Sequence, residues 1–222
     1  WTVDRSSPGH SRGHDNLYQA HPFLLAARAG FAWGLYVDST WLTRFDVGAA
    51  SEDELEILTL GGEIDTYVLC GPTPAAVVEQ LTRLTGRPAL PPLWALGYHQ
   101  SRWSYGSDAE VRAIADGFRE RGLPLDAIHL DIDYMDDFRV FNWDAERFPD
   151  PAATIAALRA RDVRTVVIVD PGVKDDRESG YAAADEGLTH GHFVRDVDGT
   201  PFTGHVWPGR SLFPDFCRAD TR

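Results

Sequence analysis

Apolar stretches in the first part of the chain are short and broken by turn residues. His21–Ala27, Phe31–Asp38, Trp41–Val47 and Ile64–Cys70 are rich in β-branched and aromatic side chains, with Ala29-Gly30 and Gly61-Gly62 between them, which predicts β-strands. The period then changes from two to that of a helix. Thr73 suits an N-cap and Pro74 the first helical position. Val77, Leu81 and Leu84 form one face, and Gly86 ends it. Arg87 to Pro92 holds three prolines and reads as a linker. Beyond it the pattern is strand, helix, strand, helix, strand. Leu93–Tyr98 predicts a strand. Ser107-Asp108-Ala109-Glu110 forms a capping-box pattern ahead of Val111, Ile114, Ala115 and Phe118. Ala127–Leu130 is the next strand, Asp150-Pro151 opens a helix to about Arg161, and Thr165–Val169 is a strand ending at Asp170. That alternation predicts a parallel sheet with crossover helices. Residues 174–206 exceed an ordinary connection, and Asp198-Gly199 between Phe193–Val197 and Pro201–Val206 predicts a hairpin excursion.

Charge and cysteine content narrow the partners. The chain has 222 residues and a formal net charge of −13. An acidic surface without a basic stripe repels phosphates, so no nucleic-acid partner is expected, whereas a neutral ligand such as a sugar is unaffected. No apolar run approaches the ~20 residues that span a bilayer, so no membrane partner is expected. Two cysteines, Cys70 and Cys217, lie far apart without metal-ligand spacing, which points to a reducing, cytoplasmic setting.

In parallel α/β folds, ligands bind at the carboxyl ends of the strands. Three such ends are legible: Tyr98, His99, Gln100, Arg102 and Trp103; then Asp131, Asp133 and Asp136; then Asp170. Carboxylates accept hydrogen bonds from sugar hydroxyls, and tryptophan faces cover the C–H faces of the ring. Asp residues at strand ends also cap loops, so the residues alone leave binding, catalysis and capping open. The acidic run lacks the glycine and closing glutamate of a calcium loop, so no metal is expected, and nothing calls for a cofactor. The histidines, His99 included, read as solvated loop residues, and Trp33, Trp41 and Trp94 as sheet-packing residues.

Several segments together resemble glycoside hydrolase family 31. They are Asn16-Leu17-Tyr18 with His21-Pro22-Phe23, Leu93 to His99, Ser101-Arg102-Trp103-Ser104-Tyr105, Asp131 to Asp136, Val169-Asp170-Pro171, and Val206-Trp207-Pro208-Gly209 with Phe213-Pro214-Asp215-Phe216. Asp136–Asp144, with Arg139-Val140-Phe141 and Trp143, is most similar to the α-glucosidase branch. The resemblance implies an α/β chain whose residues 1–86 belong to an N-terminal β-sandwich of galactose-mutarotase type. It implies that residues 87–222 are the first part of a (β/α)8 TIM barrel. It also implies retaining hydrolysis of terminal α-glucosidic bonds in an α-glucoside or malto-oligosaccharide. In the family Asp131 corresponds to an Asp that grips the terminal sugar, Ile132 lines the same pocket, and Trp103 and Trp207 match pocket tryptophans. Val173 matches a small apolar pocket residue, and Asp4 an Asp on a sandwich loop reaching over the barrel mouth.

Retaining hydrolysis needs two carboxyl groups about 5–5.5 Å apart. The family's nucleophile lies in a Trp-x-Asp-Met-Asn-Glu motif after the fourth strand, and this sequence contains no such motif. Nucleophile and acid/base are expected beyond Arg222, and no catalytic residue is assigned within the chain. A complete barrel takes about 250 residues, roughly twice the length from Leu93 onward. An opened barrel would leave an unpaired strand edge. The expectation is therefore a piece of a longer protein, its remaining barrel supplied by the same or another chain. A non-catalytic carbohydrate-binding protein, and an α-xylosidase or other α-glycosidase of the same family, are the alternatives.

Overall fold

A computed structural model describes residues 21–222 except Glu178 and Trp207. The chain divides into two compact units, Trp1–Ala89 and Leu90–Arg222. None of the described helices is long and apolar enough to cross a membrane.

In the first unit, strands β1 (Phe23–Arg28), β2 (Phe31–Val37), β3 (Thr43–Val47), β4 (Leu55–Thr59) and β5 (Thr66–Gly71) precede helix α1 (Pro74–Thr85). β2 lies between β1 and β5 in an antiparallel sheet, and β3–β4 is a separate hairpin. β4 has no counterpart in the predicted strands, because its short run Leu55–Thr59 is preceded by Glu52-Asp53-Glu54 and interrupted by Glu56. α1 starts as its sequence predicts, with Thr73 Oγ1 accepting from Ala76 N at 3.3 Å and Gly86 ending the helix at φ 103°. Val77 is fully buried and packs with Ala32 and Leu69, while Leu84, on the predicted face, is exposed. Gly34 sets how closely this helix approaches. A Cβ there would sit 2.6 Å from Phe23 and 2.8 Å from Val77. Trp41 corrects an expectation: it is 52% exposed, and its ring lies over the Gly61-Gly62 turn instead of in the core.

The second unit holds a parallel sheet. Its strands are β6 (His99–Gln100), β7 (Ala127–Leu130) and β8 (Arg164–Val167), in that order, with helices α2 (Asp108–Glu120) and α3 (Pro151–Arg159) as the crossovers. Beyond them come β9 (Val173–Lys174), helix α4 (Ala182–Thr189), β10 (Thr203–Val206) and β11 (Gly209–Leu212). Leu93–Leu96 is a 3-10 turn, not a strand. Pro91-Pro92 supply no amide hydrogens to a ladder, so pairing starts later, at His99. His99 is therefore not solvated. Its Nδ1 lies 3.0 Å from His129 Nε2, and its Nε2 lies 3.2 Å from the Trp94 carbonyl. With Nε2 donating to that carbonyl, His99 Nδ1 accepts from His129 Nε2–H. Burial, then the neighbouring His99, lowers the His129 pKa and favours the neutral ring.

Both crossover helices are capped as their sequences predict. Ser107 Oγ accepts from Glu110 N, and Asp150 Oδ1 accepts from Ala153 N. The Glu110 carboxylate reaches back one residue further than a standard capping box and accepts from Gly106 N at 2.8 Å. Ile128 and Leu130 point to the helices and share one core with Val111, Ala115 and Leu158. Alternation places Ala127 and His129 on the opposite face. The predicted hairpin is partly realised. Arg195 bridges Pro201 around a turn at Gly199, whereas β10 pairs with β11 and β11 with β9.

Gly97 gives a test of this framework. Its backbone, φ −86° and ψ −158°, is open to any residue, yet an added Cβ would sit 2.0 Å from Asp126 Oδ2. That carboxylate accepts from Tyr98 N at 2.9 Å. Gly97→Ala should destabilise the unit by about 1–3 kcal/mol in denaturant unfolding. Removing the obstruction with Asp126→Ala should make the two substitutions non-additive. Purely additive losses would show that the carboxylate is not the obstacle.

Candidate functional site

The register sets the site. Leu130 pairs with Val167 and accepts at its carbonyl from Ile168 N at 3.0 Å, so β7 and β8 end level with one another. Asp131 follows at the carboxyl end of β7, in an extended conformation that continues the His129 face. It is half-buried. Its Oδ1 accepts from Ile132 N at 2.7 Å, which caps a 3-10 turn over Ile132–Tyr134. Its other oxygen makes no hydrogen bond among the described residues. Asp133 is carried away from Asp131 by that turn and lies 3.8 Å from Arg147.

Asp170, at the end of β8, is the electrostatic neighbour of Asp131. Burial raises its pKa, and the Asp131 charge raises it further. Two carboxylates that feel each other's charge repel when both ionise, and the one with the raised pKa keeps its proton more readily. Tyr134 fixes the spacing of the two strand ends. It is 3% exposed and donates through its hydroxyl to the Ile168 carbonyl at 2.8 Å. Its ring lies 4.6 Å from that of Trp143, which in turn packs on Phe148 at 5.7 Å.

The other sequence-predicted residues fall in different settings. Trp103, past the carboxyl end of β6, is 76% exposed, and Arg102 beside it lies over the Tyr105 ring at 5.9 Å. Tyr98 precedes β6 and His99 is its first residue, whereas Gln100 is at its carboxyl end. Ile132 is 8% exposed and Val173 5%, both joined to the main core. Asp4 and Trp207 lie outside the described residues. No group of three or more His, Cys, Asp or Glu side chains with metal-ligand geometry occurs among the described residues.

Sequence reasoning missed the groups that hold the rim together. Arg139 bonds Asp176 through Nε at 3.1 Å and Nη2 at 2.6 Å, and bonds Asp136 through Nη1 at 3.0 Å. This holds the Asp176 carboxyl below its usual range. Lys174 pairs with Asp137. Tyr181, 3% exposed, donates to the Val140 carbonyl at 2.9 Å, and burial pushes its pKa up to about 12. Apart from the Arg139–Asp136 bond, these partners lie far apart in sequence, beyond the reach of any local period. The only local signal is the density of Asp and Arg in Asp136–Arg139.

The rim thus carries Asp131 and Asp170 past two paired strand ends, with the exposed Trp103 indole past the neighbouring one. Such a set can accept hydrogen bonds from vicinal hydroxyls.

Comparison with known proteins finds two matching family models. Residues 88–222 match the glycosyl hydrolases family 31 TIM-barrel domain, and residues 1–46 the glycosyl hydrolase 31 N-terminal galactose mutarotase-like domain. The chain is 49% identical over its whole length to alpha-glucosidase 2 of Bacillus thermoamyloliquefaciens, covering 28% of that protein. It is 36% identical over 94% of its length to an alpha-glucosidase of Saccharolobus solfataricus, covering 29% of it. The chain therefore spans less than a third of these relatives. Among solved structures, a family 31 alpha-glucosidase from Bacteroides thetaiotaomicron superposes with a TM-score of 0.83 at 35% identity, over 100% of this chain and 37% of that one.

The raised Asp170 pKa has a testable sign. Its protonated form is favoured in the folded state. The stability this contributes is complete below the ordinary value of 3.8 and is lost as pH rises through the raised value. Asp170→Asn should therefore gain in melting temperature relative to wild type as pH goes from acid to neutral. A difference independent of pH would remove Asp170 as a strained carboxyl.

Proposed function

This chain belongs to glycoside hydrolase family 31, and on that premise we propose that the protein carrying it is a retaining, exo-acting α-glucosidase. It acts on terminal α-glucosidic bonds of α-glucosides or malto-oligosaccharides. In this reading the chain supplies one side of the terminal-sugar pocket and none of the covalent chemistry. The observation that carries the reading is the half-buried Asp131 carboxylate. One oxygen is committed to Ile132 N, and the other is without a partner among the described residues. A carboxylate anchored in this way accepts hydroxyl hydrogen bonds without reorganising, and charge-assisted bonds are the strong ones.

The roles follow from position. Asp131 grips the hydroxyls of the non-reducing sugar. Asp170, whose pKa is raised by burial and then by the Asp131 charge, presents a second carboxyl to the same side of the pocket. Trp103 offers an exposed ring face, while Ile132 and Val173 form the apolar wall. Asp4 and Trp207 join the pocket on the strength of the family resemblance alone. The nucleophile and the acid/base come from outside this sequence, which lacks Trp-x-Asp-Met-Asn-Glu. Family relatives named as alpha-glucosidases support this substrate class over an α-xyloside.

Two measurements check the reading. The 222-residue chain alone should show no turnover of an aryl α-glucoside. In the complete protein, Asp131→Ala should lower kcat/KM by removing charge-assisted hydrogen bonds worth ~1.5–3 kcal/mol each. Near-wild-type kinetics of that variant would sink the role of Asp131. Maltose binding without hydrolysis by the complete protein would replace the enzyme with a carbohydrate-binding protein.

A further inference from the structure

Arg139 sits in the stretch most similar to the α-glucosidase branch, and its burial is unusual for an arginine. Its side chain is 17% exposed and that of Asp176 is 23%, against 69% and 56% for the surface pair Arg83–Glu79. A guanidinium this far from water is retained only where carboxylates surround it. Arg139 has three such neighbours: Asp176 at 2.6 Å, Asp136 at 3.0 Å and Asp137 at 3.6 Å.

The ion pairs cross between two segments in both directions. Arg139, from the segment after β7, reaches Asp176 in the segment after β9. Lys174, in β9, reaches back to Asp137, to both its carboxylate and its backbone carbonyl. Close by, Tyr181 at the start of α4 holds the Val140 carbonyl. The segment after β7 would not keep its shape unaided, because Asp137, Phe138 and Phe141 stand at φ 48°, 56° and 68°, where side chains are disfavoured.

We propose that Arg139 is a positioning residue that fixes the width of the sugar pocket. It locks the segment carrying Asp131 and Ile132 to the segment carrying Val173. Arg139 makes no hydrogen bond or ion pair with any of these three. A single 3-10 turn, Ile132–Tyr134, separates Asp131 from Asp136, and Asp176 lies two positions past Lys174 with its N–H on the Lys174 carbonyl at 3.0 Å. Over links this short, a displaced clamp displaces the pocket walls. The lysine variant cannot replace it, since an ammonium has no planar fork to hold two carboxylates at once.

The proposal rests on the terminal-sugar reading of the pocket, so its test has an arm that needs no ligand. In the complete protein, wild type is compared with Arg139→Gln, Arg139→Lys and Asp176→Asn. Amide hydrogen exchange should speed up at Tyr134 and Met135, which bond the Asp131 and Ile132 carbonyls, and together with them at Asp175, directly after β9, which bonds the Arg210 carbonyl. KM for an aryl α-glucoside should rise about tenfold while kcat falls less. The double variant Arg139→Gln/Asp176→Asn should be no worse than the worse single. Exchange that quickens on only one of the two segments, or nowhere, overturns the clamp. A lowered melting temperature with KM, kcat and exchange at these sites unchanged also overturns it and leaves a merely stabilising ion pair. If wild type hydrolyses no α-glucoside, the enzyme reading fails, and the exchange arm still decides the clamp.

Discussion

The parallel pairing of β7 between β6 and β8 is the constraint on which the second unit depends. Three strands bonded side by side must end at nearby heights, and the residues after each strand are delivered to one rim. The helix-facing residues Ile128 and Leu130 are fully or almost fully buried, so a slip of one residue in register would turn His129 into the core and Leu130 out of it. The cost of that exchange keeps Asp131 where it is. The position of the carboxylate is thus set by apolar burial on the opposite face of the same strand.

Polar groups then specify the features that burial leaves free. The strand ends emerge without regular structure, and their backbones need partners. Tyr134 supplies one to the carbonyl of Ile168, Tyr181 one to that of Val140, and Asp131 one to its own next amide. Each of these side chains is committed to main chain, which fixes loops more firmly than a contact between two mobile side chains. The first unit uses packing instead. There Gly34 lets a phenyl ring and a valine touch the sheet backbone, and α1 settles on it.

Much of this was legible from residue order. The capping residues Thr73, Ser107 and Asp150 act at the helix starts predicted for them, because capping is local chemistry. The carboxyl ends of β7 and β8 were readable because a buried parallel strand is an apolar run with an abrupt stop. The start of β6 was not, since Leu93–Leu96 has the composition of a strand but forms a 3-10 turn with Pro92 at its N-cap. The His99–His129 pair and the Arg139 clamp were invisible for a different reason. They join residues 30 and 37 positions apart, and nothing in a local window distinguishes such partners from solvated polar residues.

Glu110 has a consequence beyond capping. Its carboxylate holds Gly106 N at 2.8 Å and lies 3.8 Å from Arg102, while Tyr105 between them is 2% exposed. The short loop that carries Trp103 is thereby tied at its far end to the first turn of α2 and at its near end to β6. The indole stands in solvent on a backbone that is already ordered. A ring that stacks on it has only side-chain rotations left to quench, so little of the contact is consumed in ordering the loop.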